Sequence, residues 1–209
     1  MKNILFVFAH FDDESFSAGT IKKLVTEGNN VSILIICGNG KDLEDDRKDI
    51  FQKNISLLGC DGSFLNYFDL TLDDLKEDVK REIKDSLTNL ILSEKIDIVY
   101  TNNADDMHSD HKAVSALVRT VCRPSITNIK SLYECYISGA TEFGSYLWNY
   151  NTIIDITYYA NPKGQCLKNY DKYLKGASSH EASMNHSRYI GSLYNMNYAE
   201  TFKLIWHKE

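Results

Sequence analysis

Only two prolines occur in 209 residues, and the five cysteines never form a Cys-X-X-Cys pair. Scattered thiols in odd number (Cys37, Cys60, Cys122, Cys135, Cys166) make neither a disulfide framework nor a thiolate zinc site. Reduced, mostly buried cysteines in a cytosolic protein are the expectation. A basic excess is also missing, since 23 Lys and Arg stand against 29 Asp and Glu for a formal net charge of −6. A diffuse acidic balance gives no footprint for nucleic acid or an anionic membrane. No apolar run approaches the ~20 residues of a membrane-spanning helix. The run Ile4–Ala9 is too short for a signal-peptide core and leads directly into His10-Phe11-Asp12-Asp13-Glu14. These absences point to a cytoplasmic protein with a small-molecule partner, no nucleic acid and no membrane span; a homo-oligomer stays open.

What is present is a chain 43% hydrophobic and 25% charged, long enough for one well-buried core. A single domain over residues 1–209 is expected. Short apolar runs alternate with amphipathic stretches, the pattern of β-α-β units around a parallel sheet. Strands are expected at Ile4–Ala9, Val31–Cys37, Ser63–Phe68, Ile96–Tyr100, Ser131–Ile137 and Thr152–Ile156. Between them Ala18, Ile21, Leu24 and Val25 share one helix face; Phe51, Ile55 and Leu58 share another, ended by Gly59. A long helix carries Leu75 to Leu90, a further one Val114 to Val121, and the last fifty residues read as mainly helical. The fold class is α/β and Rossmann-like, a mostly parallel sheet flanked by helices with a helical C-terminal extension.

Two segments concentrate the reactive side chains: His10-Phe11-Asp12-Asp13-Glu14 after the first strand, and Asp105-Asp106-Met107-His108-Ser109-Asp110-His111 after the fourth. In a 3-2-1-4 strand order these strand ends flank the point where the order reverses, which is where parallel sheets bind ligands. Imidazoles with carboxylates and no thiolates suit catalytic zinc, which keeps one position open; two histidines and a carboxylate would accept Fe2+ as well. His10 and Asp13 can converge on one ion. Of His108 and His111, one can ligate while the other stands beside the substrate. Asp110 is placed to orient an imidazole. Zinc would acidify a water and polarise an amide carbonyl. Asp12 would take the proton as that water attacks, and a protonated His108 would stabilise the oxyanion or protonate the departing amine.

His10-Phe11-Asp12-Asp13-Glu14 resembles the His-Pro-Asp-Asp-Glu signature of the PIG-L/LmbE-like deacetylases, and His108-Ser109-Asp110-His111 resembles their His-X-Asp-His signature. The likeness continues through Arg47, Leu58-Gly59, Asp97–Tyr100, Arg188–Gly191 and Tyr198–Phe202. It implies a Rossmann-like, zinc-dependent enzyme that removes acetyl from N-acetylglucosamine-like sugars. By that resemblance His10, Asp13 and His111 are metal ligands, Asp12 the general base, His108 the stabiliser or acid, and Arg47 a contact to substrate hydroxyls. Phe11 stands where the family has proline, so an aromatic is expected at the pocket border. Ala182, in His180-Glu181-Ala182-Ser183, stands where some members have arginine; His180 remains a substrate-binding candidate. Gly38-Asn39-Gly40-Lys41 lacks phosphate-loop spacing and reads as a loop over the pocket rim. His186 and His207 read as surface residues.

Two rival readings use the same residues. One is a metal-dependent hydratase or lyase on the same fold. The other is a non-catalytic sugar- or metal-binding module, which would have no need of Asp12 beside Asp13.

Overall fold

A computed structural model describes residues 1–38, 46–68 and 71–208. The first strand, β1 (Asn3–His10), is apolar on both sides because both sides are covered. Ile4, Phe6 and Phe8 face one helical layer, and Leu5, Val7 and Ala9 face the other. The order along the sheet is β3-β2-β1-β4-β5-β7-β6, made of β2 (Asn30–Cys37), β3 (Asp61–Phe64), β4 (Ile98–Asn102), β5 (Ser131–Cys135), β6 (Thr152–Asp155) and β7 (Ala199–His207). The five strands from β3 to β5 are parallel; β7 runs antiparallel to both β5 and β6.

One face of the sheet carries α1 (Asp13–Phe16), α2 (Ala18–Thr26), α3 (Arg47–Leu58) and α6 (Ala160–Asn169), which supply Phe16, Ile21, Phe51, Leu58 and Leu167 to one core. The opposite face carries α4 (Glu77–Ser93) and α5 (Ser109–Val121), with Ile83, Leu87, Ile91, Val114 and Val118 in the other. α7 (His180–Leu193) packs beside β7. Gly59 ends α3 in the left-handed conformation, φ 76°. Among the described residues, no helix is long and apolar enough to cross a membrane.

The α/β architecture and the 3-2-1-4 order match the expectation. The fourth strand lies two residues further on, at Ile98–Asn102 rather than Ile96–Tyr100, the fifth ends at Cys135 rather than Ile137, and two other elements differ more. The third strand starts at Asp61 rather than Ser63 and ends at Phe64, with Asn66 making an isolated bridge to Cys37. Asp61 and Gly62 are poor strand formers, yet pairing with Ser32 and Ile33 draws them in. The mainly helical C-terminal stretch is present as α6 and α7, but it ends in β7, which inserts between β5 and β6. Buried Glu200 interrupts the apolar run of that strand and hides it from a pattern reading. Of the expected rim loop at Gly38–Lys41, Asn39 onward lies outside the described residues. The five cysteines are free thiols, all but Cys60 buried.

Candidate metal centre

The chain crosses from β1 to β2 and β3, then returns to place β4 on the other side of β1. That reversal opens a crevice at the strand ends, and both reactive segments enter it. His10 is the last residue of β1, and Asp13 opens α1. Asp13 is buried. Its Oδ2 accepts from the His10 backbone N–H (3.1 Å) and from Asn102 Nδ2 (3.1 Å) at the end of β4. Asn102 Oδ1 in turn accepts from the Ala9 N–H at 2.9 Å, so a single amide locks the two strand ends together.

From the other side, His108 caps α5, its Nδ1 accepting the Asp110 N–H at 3.2 Å. Asp106 Oδ1 accepts the His108 N–H (2.9 Å) and lies 3.2 Å from His111 Nδ1; the Thr141 hydroxyl donates to Asp106 Oδ2 at 2.9 Å. Asp110 has no exposed surface: Oδ1 accepts the Leu72 N–H (3.0 Å), Oδ2 lies 3.0 Å from His10 Nε2, and the Cys37 thiol approaches Oδ2 at 3.8 Å. The three imidazoles crowd together, with ring centroids 4.6 Å apart for His10–His108, 4.8 Å for His108–His111 and 5.3 Å for His10–His111.

This arrangement leaves a deficit of positive charge. A carboxylate beside an imidazole nitrogen holds the ring proton there. Asp110 does so at His10 Nε2, and Asp106 at His111 Nδ1, although that contact is an ion-pair approach more than an aligned hydrogen bond. The remaining nitrogens, His10 Nδ1 and His111 Nε2, then face each other as lone pairs 3.3 Å apart. Asp13 Oδ1 stands 3.3 Å from His111 Nε2, and Asp13 Oδ2 3.9 Å from His10 Nδ1. Two nitrogen lone pairs with a carboxylate alongside need a proton or a cation near them; among the described residues, the donor groups that lie within 4.8 Å of one another are His10 with His108 and His111, and His10 with Cys37 and Asp110. The same demand shows in the titration. Burial opposes it, yet Asp13 and Asp106 push His111 up to about 9, and His111 with His10 holds Asp13 well below the usual carboxylate range. The donor set fits a divalent metal with imidazole and carboxylate ligands.

Asp12 sits beside these groups with φ 106° and ψ −31°, and its side chain makes no capping bond to α1. Burial, then the charge of Asp13, raises its carboxyl to about 8, against the pull of His10 and Arg47. Arg47, the first residue of α3, lies with its guanidinium 5.3 Å from the centre of the Tyr173 ring and within electrostatic reach of Asp12. His108 is lowered by burial and by the neighbouring imidazoles. Its Nδ1 is committed as an acceptor, so the ring proton belongs on Nε2.

The structure thus gathers His10, Asp12, Asp13, His108, Asp110 and His111 at one place, with Arg47 near. It does not bring His180 there: at the start of α7 it lines a separate hollow with Gly164, Met184 and Tyr198. Phe11 is not at a pocket border but in the core, its ring 5.2 Å from Phe51 and 5.5 Å from Phe64. His186 is not a surface residue either; it stacks on Tyr136 at 4.3 Å, with Nε2 buried. Sequence reasoning gave no role to Asp106, Asn102, Cys37 or Thr141. Asp106 carried a usable signal, being an acid of the second acid–histidine segment, five residues before the candidate ligand His111; the other three carried none.

The fold recurs in solved structures. A conserved protein from Thermus thermophilus superposes with a TM-score of 0.80 at 20% identity, covering 100% of this chain and 97% of that one. The 4-carboxy-2-hydroxymuconate hydratase GalB from Pseudomonas putida KT2440 gives 0.81 at 15% identity, covering 100% and 98%. The N,N'-diacetylchitobiose deacetylase from Pyrococcus horikoshii gives 0.74 at 20% identity, covering 98% and 84%. No curated protein matches this chain. The family model described as PIG-L, GlcNAc-PI de-N-acetylase, matches residues 5–122, more than half the length, and the chain belongs to that family.

Proposed function

We propose that this chain is a metal-dependent hydrolase, one domain over residues 1–209, that removes an N-acyl group, acetyl in the first instance, from an amino-sugar conjugate in the cytosol. The observation that carries the reading is the pair of inward-facing nitrogens, His10 Nδ1 and His111 Nε2, beside Asp13, with Asp12 next to them and free of any capping bond. His10, Asp13 and His111 would hold the ion, zinc by preference and Fe2+ as the alternative. When bound, a divalent ion at this place supplies Lewis acidity, polarising an amide carbonyl and lowering the pKa of water.

The chain's own residues do the rest. A cation held by the neighbouring ligands would draw the Asp12 carboxyl back to its ionised form, and Asp12 would then receive the proton of the attacking water and deliver it to the amine as the C–N bond breaks. The Nε2–H of His108 donates to the carbonyl oxygen as negative charge develops on it. Asp110 and Asp106 fix the ring orientation and tautomer of His10 and His111. Arg47 offers its guanidinium to sugar hydroxyls. His180, in its separate hollow, has no part in this reading.

The same fold supports a hydratase in Pseudomonas putida, so the test must separate amide hydrolysis from water addition. Metal-loaded protein should release acetate and free amine in equal amounts from at least one of a panel of N-acetyl sugars, sugar nucleotides and thiol glycosides. Asp12→Asn should keep its metal and fall to a small residual turnover. Full metal loading with no acetate released from any of the panel overturns the reading.

A further inference from the structure

The mechanism above makes no use of Glu14, a carboxylate with no exposed surface directly after Asp13. Its two oxygens are fully engaged. Oε2 accepts the backbone N–H of Asp12 at 3.0 Å. Oε1 accepts from Asn54 Nδ2 in α3 (3.0 Å) and from the Tyr170 hydroxyl just after α6 (2.9 Å). The scaffold reaches one residue further, since Asn169 Nδ2 donates to Asn54 Oδ1 at 2.8 Å. Asp12 meanwhile adopts φ 106°, a region that residues with a Cβ rarely enter and that persists only where the surroundings enforce it.

We propose that Glu14, braced by Asn54 and Tyr170, is a positioning residue that holds the Asp12 backbone in this conformation and so aims the Asp12 carboxyl at the reacting centre. The inference rests on the reading of Asp12 as the base. Burying a carboxylate costs more than burying an apolar side chain of the same size, so packing alone does not account for an acid here. The bond it makes to Asp12 does. Ser15 adds to the clamp from the other side, its hydroxyl and its N–H both donating to the Asp12 carbonyl at 2.6 and 2.9 Å. An aspartate preceding a helix ordinarily spends its side chain on capping. Here the capping bond is absent, and the backbone is held by other residues instead. The carboxyl is left beside Asp13, His10 and Arg47.

Three variants test this, in full-length metal-loaded protein on whichever N-acetyl sugar of the panel releases acetate. Glu14→Met keeps the shape and removes both acceptors; kcat should fall about 100-fold, the scale of a 1 Å misplacement, with KM and bound metal unchanged. Glu14→Gln retains one acceptor and should recover part of that loss. Tyr170→Phe deletes a single hydroxyl from the brace, guards against a Glu14 variant that fails to fold, and should lower kcat in the same way to a smaller degree. In the Asp12→Asn background, Glu14→Met should add nothing, because its effect runs through Asp12. An activity-free readout accompanies these: the Asp12 amide should be protected from hydrogen exchange in wild type and lose protection in Glu14→Met. A Glu14→Met or Tyr170→Phe protein with lowered Tm and unchanged kcat overturns the proposal, as does a fully multiplicative effect with Asp12→Asn. Unchanged turnover in Asp12→Asn alone would instead remove the base assignment.

Discussion

His10 Nδ1 and His111 Nε2 stand 3.3 Å apart, and each ring meets a buried carboxylate at its other nitrogen, Asp110 for His10 and Asp106 for His111. Residues 101 positions apart are thereby set to share one positive charge. The pairing is specific in a way that mutation can expose.

Asp110→Asn is a sharper test than deletion. Oδ1 of Asp110 accepts the Leu72 N–H, so an asparagine would keep its carbonyl oxygen there and turn its amide toward His10 Nε2. That donor would force Nε2 to accept and move the ring proton to Nδ1, the nitrogen that faces His111. Divalent-metal affinity should drop by about 10- to 100-fold, measured by competition with a chromophoric chelator. Wild-type affinity in Asp110→Asn would contradict the tautomer assignment.

Metal should also stabilise the fold. An ion that binds the folded chain alone adds about 2.7 kcal/mol at a free concentration of 100 times its Kd. For a chain of this length that is roughly 5–10 °C in Tm. Calorimetry with and without zinc should show the shift in wild type and none in His111→Ala. An equal shift in both would place the ion elsewhere.

Much of this was legible in the sequence. β1 and β2 are apolar on both faces, a pattern that fits strands of a covered parallel sheet, and two acid–histidine segments at strand ends follow the logic of that sheet. A 3-2-1-4 strand order is enough to bring His10 and His111 together. What stayed hidden depends on partners distant in sequence. Asn102 reads as one polar residue of the loop after the fourth strand until its amide is seen tying Ala9 to Asp13. Glu200 belongs to the Tyr198–Phe202 stretch of the family likeness, but nothing local in the chain shows that it is buried against Lys163. Phe11 reads as a substitution at a site, whereas its ring belongs to a cluster with Phe51 and Phe64.

Lys163 and Glu200 form a buried pair at 2.7 Å. Glu200 also accepts the first free N–H groups of α2, from Gly19 (3.1 Å) and Thr20 (2.9 Å), and Lys163 donates to the Phe16 carbonyl. The pair thereby pins the break between α1 and α2 to β7. Lys163→Met leaves the carboxylate buried without its counter-charge and should cost about 3–5 kcal/mol in urea denaturation. Adding Glu200→Gln should recover part of the loss, since a neutral amide can still accept from α2. A loss below about 1 kcal/mol in Lys163→Met would mean that the two helix N–H groups suffice.

His186 gives the fold an acid-side liability. Burial, then the charge of Lys163, lowers its imidazole from 6.5 to about 4, and Nε2 is buried without a partner. Above pH 6.5 neither the folded nor the unfolded chain protonates this ring, and its contribution to stability is fully present. As pH falls from 6.5 toward 4 the unfolded chain takes up a proton that the folded chain refuses, so stability drops; below about 4 both carry it and the loss is complete. Glu14, raised to about 7 by burial, works with the opposite sign, since its folded form retains a proton as pH rises. The two effects partly cancel in a wild-type profile. Subtracting the profile of His186→Phe, which preserves stacking on Tyr136, isolates the histidine. Between pH 4 and 6.5 wild type should lose stability relative to the variant as pH falls, and above 6.5 the difference should be flat. Parallel curves across the whole range would mean that His186 accepts its proton in the folded state as readily as in the unfolded one.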